Sequence, residues 1–206
     1  MTGKALHTPY FFLKRSLDLL FSVVVIVSIL SWLLPLLALI IKTDSPGPAL
    51  FRQKRVGKRG RIFTCYKLRT MEAGGRADLS YATEKHRHIT RAGKWLRKSN
   101  LDELPQFFNV LNGSMSLVGP RPYMVDDYRR FSELSPVHAF RELVKPGITG
   151  LAQVRGLHGS VADAKTITRR YAWDAVYVRN ASFRLDIRIL RQTTLLFITQ
   201  QMPLCK

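Results

Sequence analysis

The longest apolar stretch of the chain lies near its N-terminus. No charged residue occurs between Leu19 and Ile41, and about 23 residues at 1.5 Å each are enough to cross the hydrocarbon core of a bilayer. A buried helix of a soluble protein is rarely apolar on every face. A signal peptide would have a shorter apolar core and a cleavage site of small residues after it. The pattern therefore predicts a membrane-embedded helix.

The residues that flank this stretch and those inside it indicate how it could run through a membrane. Lys14 and Arg15 precede it and Lys42 follows it, and basic flanks favour the cytoplasmic side of a membrane. Pro35 removes a backbone hydrogen bond and the Ser31 hydroxyl can bond to a backbone carbonyl, so a bend is permitted there. From the residues alone, a re-entrant hairpin with both ends in the cytoplasm and a kinked spanning helix are equally supported.

Two short extended runs follow, at 49–53 and 61–67, and Val-Gly-Lys-Arg-Gly at 56–60 is typical of the turn of a β-hairpin. Residues 72–90 contain few apolar positions and are predicted to be a loop. His86 and His88 lie in this basic loop, where we interpret them as surface residues rather than metal ligands.

The segment 97–122 combines a helical pattern with charge. Ser99 or Asn100 is the predicted N-cap, and Asp102 and Glu103 fall in the first turn. Pro105 fits only an early turn, which fixes the start of the helix. The apolar residues that repeat at helical spacing before Gly113 are Leu104, Phe107, Phe108 and Leu111.

The C-terminal half is predicted to be mainly helical. Residues 122–145 and 163–178 have helical patterns, and a glycine-rich loop at 145–156 separates them and suits close approach to a ligand. Residues 183–198 alternate arginines with large apolar side chains. Such an amphipathic helix can lie in the lipid headgroup layer or pack against the core of its own domain.

The net charge of the chain indicates which kinds of molecule it could bind. The 33 basic and 14 acidic residues give a net charge of +19, which favours nucleic acid, a membrane surface or a phosphorylated substrate. The two cysteines, Cys65 and Cys205, have no zinc-site spacing and weakly favour a reducing compartment. The sequence contains no P-loop, no dinucleotide-binding glycine motif and no GxSxG elbow.

The acid pair is the clearest candidate for chemistry. Carboxylates at a helix start are common because they complement the helix dipole. Here Arg97, Lys98 and Arg121 accompany Asp102 and Glu103, and such a setting suits a phosphate together with a divalent metal. A carboxylate that nearby cations keep ionised can attack phosphorus or bind Mg²⁺.

Several blocks carry a family resemblance. Leu-Asp-Glu-Leu-Pro-Gln at 101–106, Asn-Val-Leu at 109–111 and Met-Ser-Leu-Val-Gly-Pro-Arg-Pro at 115–122 resemble the signature of the bacterial sugar transferases, the monotopic polyprenyl-phosphate phosphoglycosyl transferases. Pro-Gly-Ile-Thr-Gly at 146–150 and Asp-x-x-Tyr-x-x-Asn-x-Ser at 174–182 are also similar to family blocks. The resemblance covers nearly the whole chain.

The resemblance implies an activity and a set of residues. A sugar 1-phosphate would pass from a nucleotide diphosphosugar, with uridine the expected nucleotide, to a polyprenyl phosphate such as undecaprenyl phosphate. Asp102 would attack the β-phosphate and form an aspartyl-phosphosugar intermediate, and UMP would leave. Asp102 and Glu103 would hold Mg²⁺, and Lys67, Arg97 and Arg121 would bind phosphate oxygens.

Two more residues are candidates by resemblance. Arg69 shares with Lys67 the block Tyr-Lys-Leu-Arg-Thr-Met at 66–71, which is associated with the active site, so it is also expected to bind phosphate. Asp174 is a candidate for substrate binding. A salt bridge between Asp174 and one of the many arginines is equally supported.

The implied fold is α/β and mainly helical, in a monotopic protein of the bacterial inner membrane. Residues 1–43 would form a re-entrant helix broken near Ser31 and Pro35, although the family often has Ser-Pro at the break and Trp32 follows Ser31 here. Residues 44–206 would form one catalytic unit on the cytoplasmic face, with interfacial helices, a small β-hairpin and contacts to anionic lipids.

Two other functions remain open on the residues alone. The charge of +19 with interleaved aromatic residues also suits a membrane-tethered nucleic-acid-binding module, but Asp102 and Glu103 would repel a polyanion. A membrane scaffold would have little reason to gather acids and cations in one block. The sequence does not indicate which sugar is carried, because selectivity depends on the shape of a pocket.

Overall fold

In the computed structural model, which describes residues 8–72, 89–132, 136–157 and 164–199, the apolar segment forms a long helix. It consists of α1 (Thr8–Val25), a π-helical turn (Ile26–Leu30) and α2 (Ser31–Asp44). Its length and composition would allow it to cross a membrane. Many large apolar side chains on it are exposed, among them Phe12, Leu20, Val27, Trp32 and Leu39. The prediction of an apolar N-terminal helix is therefore confirmed.

The irregular turn lies just before the residues predicted to mark a bend. Ser31 closes the π-helical turn, because its backbone N–H donates to the carbonyl of Ile26, and its hydroxyl donates to the carbonyl of Val27 at 2.7 Å. Pro35 lies within α2, where it lacks the N–H that would pair with the Ser31 carbonyl. Wide turns of this kind are associated with helix kinks. The re-entrant path stays a prediction.

Both halves of the long helix contact the rest of the chain. On α1, the Asp18 carboxylate accepts a hydrogen bond from the backbone N–H of Leu117 at 3.0 Å, and Phe21 packs against Phe107. Near the end of α2, Leu37 and Ile41 are buried in a cluster with Leu68 and Leu96. The helix is thus attached to the domain at both ends.

The predicted β-hairpin is confirmed. β1 (Leu50–Val56) and β2 (Ile62–Leu68) pair antiparallel, from Leu50 opposite Leu68 to Val56 opposite Ile62. A 3₁₀ turn at Lys58–Gly60 connects them. Gly60 has a φ of +69° there, which glycine adopts without strain.

The predicted single helix over the acid pair is wrong. Helix α3 (Arg91–Lys98) precedes it, and the Ser99 hydroxyl donates back to the carbonyl of Trp95, so Ser99 closes α3 instead of opening the next helix. Asn100 then takes a left-handed conformation with a φ of +52° and forms no side-chain cap. The acid pair lies in a separate 3₁₀ turn, Leu101–Glu103, and α4 (Gln106–Leu111) begins after Pro105.

The predicted helix over 122–145 is also wrong. Within the described residues it is divided into α5 (Val125–Ser132) and a 3₁₀ helix (Pro136–Leu143). Two short strands flank these helices, β3 (Ser116–Val118) and β4 (Gly147–Thr149), and they pair in parallel. Gly147 lies so close to Gly119 that a Cβ on Gly147 would stand 2.1 Å from the Gly119 nitrogen, and only glycine fits at this position.

The remaining helices close the main core. They are α6 (Leu151–Val154), α7 (Ala164–Arg179) and α8 (Phe183–Ile198). The core contains Cys65, Val110, Met115, Val118, Tyr177 and Ile189. The described part of the chain is thus mainly helical with a small β-hairpin, as expected, and the parallel pair of β3 and β4 was not predicted. His86, His88 and Cys205 lie outside the described residues.

Candidate active site

One buried amide fixes the hairpin against the helix that follows the acid pair. Asn109, on α4, accepts a hydrogen bond from the backbone N–H of Tyr66 at 2.9 Å and donates one to the carbonyl of Thr64 at 2.7 Å. Both partners belong to β2, so Asn109 sets the position of the next strand residue, Lys67. A polar residue inside an otherwise apolar helix pattern was the sequence signal for this role, and the sequence analysis did not use it.

Glu103 is held between two cations. Its Oε1 lies 2.8 Å from Lys67 Nζ and 2.6 Å from Arg121 Nη2, and its Oε2 lies 3.2 Å from Arg121 Nη1. All three side chains are largely buried. Burial alone would raise the pKa of Glu103, but Arg121 and Lys67 hold it well below its ordinary value. Glu103 is therefore ionised and fixes the two cations.

Asp102 lies beside Glu103 but has a different environment. The residue is only 8% exposed, and in the described parts of the chain its carboxylate forms no hydrogen bond or ion pair. Burial raises the pKa of Asp102; the charge of Lys67 opposes this shift, Glu103 adds to it, and Arg97 and Arg121 oppose it. A buried carboxylate surrounded by cations that it does not bind directly is a poor stabilising element and a good candidate for chemistry.

Arg97 reaches this region from α3. Thr90 caps that helix by accepting the backbone N–H of Gly93, and Gly93 lies against Thr70 so closely that a Cβ would stand 2.0 Å from its carbonyl oxygen. This contact allows Arg97 Nε to donate to Thr70 Oγ1 at 2.8 Å. Among the described residues, the terminal nitrogens of Arg97 bind no other group and are available to an anion.

Of the two acids, only Asp102 has carboxylate oxygens that the described residues leave free to bind Mg²⁺. The described residues contain no group of three or more side chains of the metal-ligating types. Mg²⁺ is commonly bound by one or two carboxylates together with water and substrate phosphates. Asp102 has free oxygens for this purpose. Glu103 would have to release Lys67 or Arg121 first, because those cations use both of its oxygens.

Unlike Arg97, Arg69 binds oxygens of the described residues through its terminal nitrogens. Its guanidinium donates to the carbonyls of Pro46, Ile41 and Ser45 at 2.6 to 3.3 Å, and also to the Ser45 hydroxyl. These oxygens lie at and just after the C-terminal end of α2, where a cation satisfies carbonyls that have no helical partner. Arg69 thus anchors the C-terminal end of the long N-terminal helix.

Asp174 forms the salt bridge that the sequence analysis left open. Its Oδ2 accepts from Arg141 Nε at 2.7 Å, and both side chains are buried. Arg141 stacks on Tyr123, with its guanidinium carbon 4.1 Å from the ring centroid, and donates to the backbone carbonyl of Arg121. Asp174 therefore supports the backbone of Arg121 through Arg141. It is not among the side chains around Asp102. Arg141 was missed because it was one of many cations in the predicted helix over 122–145.

The chain is similar to known proteins of one family. The profile of a family described as bacterial sugar transferase matches residues 9–200. A UDP-N-acetylgalactosamine-undecaprenyl-phosphate N-acetylgalactosaminephosphotransferase of Aeromonas hydrophila is 41% identical over 96% of this chain. A UDP-glucose:undecaprenyl-phosphate glucose-1-phosphate transferase of Caulobacter vibrioides is 44% identical over 87% of it. An exopolysaccharide production protein of Rhizobium leguminosarum bv. phaseoli is 40% identical over 91% of it.

These relatives differ in length. The chain spans 46% of the Aeromonas protein, 67% of the Caulobacter protein and 96% of the Rhizobium protein. The two relatives named as transferases carry different sugars, and both names specify undecaprenyl phosphate.

Proposed function

Since the chain belongs to the bacterial sugar transferase family, we propose that it transfers a sugar 1-phosphate from a UDP-hexose or UDP-N-acetylhexosamine to undecaprenyl phosphate and releases UMP. The names of its relatives support this reaction class and favour it over nucleic-acid binding. The observation that carries the proposal is the environment of Asp102, which is buried, unpaired among the described residues and surrounded by Lys67, Arg97 and Arg121. The product would begin the membrane stage of exopolysaccharide or glycoconjugate synthesis.

The first step is attack by Asp102 on the phosphorus that carries the sugar. A carboxylate oxygen forms a new bond to phosphorus, and the bond to the bridging oxygen of the diphosphate breaks, so that UMP leaves. Burial raises the pKa of Asp102, and the ionised carboxylate is correspondingly more basic and more nucleophilic. The protein then holds an aspartyl-phosphosugar.

The second step regenerates the carboxylate. A phosphate oxygen of undecaprenyl phosphate attacks the same phosphorus, and the bond to Asp102 breaks. Two displacements replace one difficult transfer between two anions. The lipid-linked diphosphosugar leaves in the plane of the membrane.

The surrounding cations stabilise charge in both steps. Lys67 and Arg121 are fixed by Glu103 and Arg97 by Thr70, so their positive charges are in place before the substrate arrives, which is the arrangement that stabilises a phosphoryl transition state. Asp102 is the residue that would hold Mg²⁺, and the ion would supply further neutralisation of the charge on the transferring group.

We place the active site at the cytoplasmic face of the inner membrane, on a re-entrant helix. Phe21 of α1 packs against Phe107 with ring centroids 6.2 Å apart, while Leu37 of α2 lies in one apolar cluster with Leu104. In a straight helix, residues 21 and 37 would be about 24 Å apart, whereas Leu104 and Phe107 are neighbours in sequence. This convergence and the basic flanks at Lys14, Arg15 and Lys42 support a bent segment whose two ends face the same side.

The covalent step can be tested directly. The purified protein is incubated with UDP-sugar labelled with ³²P in the β-phosphate, without a lipid acceptor, and denatured protein is examined for label. We expect label on the wild type, its loss when undecaprenyl phosphate is added, and none on Asp102→Asn. Full turnover by Asp102→Asn would exclude Asp102 as the nucleophile.

A panel of UDP-sugars assayed for UMP release identifies the donor. Each sugar is tested with and without undecaprenyl phosphate. We expect one donor class to release UMP in proportion to the acceptor. UMP release that is independent of the acceptor beyond one equivalent of enzyme would indicate hydrolysis rather than transfer.

The path of the helix is tested by cysteine labelling in spheroplasts. Cys205 and buried Cys65 are replaced by serine, and single cysteines are introduced at Phe12 or at Thr43. A re-entrant helix leaves both positions unlabelled by an impermeant maleimide until the membrane is opened. A spanning helix exposes one of the two positions to the reagent from outside.

A further inference from the structure

A basic cavity lies away from the acid pair, where the start of α1 meets the domain. Its volume is about 170 Å³, and beside Tyr177 its lining includes the charged and polar residues Lys14, Arg15, Asp18, Lys58, Ser116 and Lys145. We refer to this opening as the Lys145 cavity. Arg15 donates to the carbonyls of Val110 and Leu111, so the cavity lies at the C-terminal end of α4, whereas the acid pair precedes its N-terminal end.

Two cations of the cavity form no ion pair with an acid of the described residues. Lys58 lies over the ring of Phe11 at 5.7 Å, and in the described parts of the chain neither Lys58 nor Lys145 forms a hydrogen bond or ion pair. Burial lowers the pKa of Lys145, and the charges of Arg15 and Lys58 lower it further, whereas Asp18 opposes them. Like charges that repel one another around an opening are stabilised by an anion.

The other charged groups are already used by the fold. Lys14 pairs with Asp186 at 2.7 Å, Arg15 binds two carbonyls, and the Asp18 carboxylate accepts the backbone N–H of Leu117. The one acid in the lining is therefore engaged with the backbone. The lining as a whole carries an excess of positive charge.

A buried hydroxyl provides an independent indication of a ligand. Ser116 lines the cavity and is only 1% exposed, and its buried Oγ atom has no hydrogen-bond partner in the described part of the chain. A buried hydroxyl without a partner costs about 1–3 kcal/mol. An oxygen acceptor in the cavity would satisfy it.

We propose that the Lys145 cavity binds a phosphate group, separate from the phosphates handled at Asp102. Lys58 and Lys145 supply the charge, and the Ser116 hydroxyl donates a hydrogen bond to a phosphate oxygen. The phosphate belongs either to a membrane lipid headgroup, since the cavity adjoins the first residues of the membrane helix, or to a soluble phosphate. The chemistry is the same in both cases, and the experiment separates them.

Lysine acylation with mass-spectrometric readout tests the proposal on the full chain in neutral detergent micelles. Acylation rates of Lys58 and Lys145 are measured with no addition, with phosphatidylglycerol in the micelles, and with inorganic phosphate at matched ionic strength. We expect phosphate in one of these forms to slow Lys145 at least about fivefold. The exposed lysines Lys54 and Lys94 serve as internal controls and should change less than twofold.

Each outcome has a defined meaning. Protection by phosphatidylglycerol alone assigns a lipid headgroup, and protection by inorganic phosphate assigns a soluble phosphate. Equal rates under all conditions would overturn the proposal. So would protection that is unchanged in both Ser116→Ala and Lys58→Gln, because a general surface potential would then explain it; Lys54→Gln is the matched control. Ser116→Ala removes an unpaired hydroxyl and should fold at least as well as the wild type.

Discussion

The buried carboxylates of the described residues differ in whether another group pairs with them. Asp174 is fully paired with Arg141, and Asp186 accepts hydrogen bonds from Tyr10, Lys14 and Tyr177. Asp102 is almost as buried as these acids, and within the described residues nothing pairs with it. Paired acids join helices to one another, whereas the unpaired acid adds nothing to the fold and is available to a substrate.

The pKa shifts of Asp102 and Asp174 show which feature separates the two acids. Burial raises the pKa of both Asp102 and Asp174, so burial alone does not distinguish the catalytic candidate from the structural acid. The distinction lies in direct contact, because Arg141 donates a hydrogen bond to Asp174 and no described residue donates one to Asp102. Substitutions of Asp102, Asp174, Arg121 and Glu103 can therefore separate effects on catalysis from effects on stability.

The largest expected effect follows from Asp102→Asn. Removal of the nucleophile should lower kcat by about 10⁴-fold or more. An acid whose pKa is raised in the folded state costs stability at any pH above its ordinary pKa, so the same variant should have a higher Tm than the wild type at neutral pH. Turnover assays and thermal unfolding in detergent measure the two quantities. A variant that loses both activity and Tm would show that Asp102 is structural.

The opposite result is expected for Asp174→Asn. Burial raises the pKa of Asp174 as it does that of Asp102, but the Asp174 carboxylate in turn raises the pKa of buried Arg141. The substitution leaves Arg141 buried without its counter-charge, which should cost about 3–5 kcal/mol of stability and lower Tm. The double variant Arg141→Met with Asp174→Leu removes both charges and should recover much of the loss. Thermal unfolding of the single and double variants checks this prediction. An unchanged Tm for the single variant would contradict the structural assignment.

A smaller effect is expected for Arg121→Gln. Loss of a phosphate-binding cation should raise the KM for the sugar nucleotide by about 10- to 100-fold, with a smaller change in kcat. Arg129→Gln, at an exposed position on α5, is the matched control for loss of one positive charge and should leave KM unchanged. Steady-state kinetics with varied donor concentration measures both variants. An equal effect in the two would indicate a general charge effect.

The smallest effect is a shift in the pH profile of Glu103→Gln. The charge of Glu103 raises the pKa of Asp102, and Glu103 also holds Lys67 and Arg121 away from direct pairing with it. Its neutralisation should lower the pKa of Asp102, and the acid limb of the kcat/KM profile should move to lower pH. The exposed acid Asp126 provides the control variant Asp126→Asn. A limb that stays in place would mean that a group other than Asp102 titrates there.

Much of the fold was predictable because it depends on local patterns. The apolar run gave the N-terminal helix, and the Val-Gly-Lys-Arg-Gly turn gave the β-hairpin. The helix over the acid pair was predicted wrongly, because Ser99 and Asn100 are good N-cap residues in isolation. In the structure Ser99 ends the preceding helix and Asn100 reverses the chain, and the choice between these roles depends on α3 packing against Thr70.

For the candidate site, too, some features were predictable from the sequence and others were not. The sequence by itself determined that two acids and several cations occur in one block with a family resemblance, because motifs are contiguous in the chain. The folded structure was needed to show that Lys67 and Arg121 contact Glu103, that Arg69 anchors the end of the long N-terminal helix and that Asp174 pairs with Arg141. The reason is physical: whether a charged side chain binds a ligand or holds the fold depends on which groups reach it and on how much water remains around it, and both are set by residues far away in the chain.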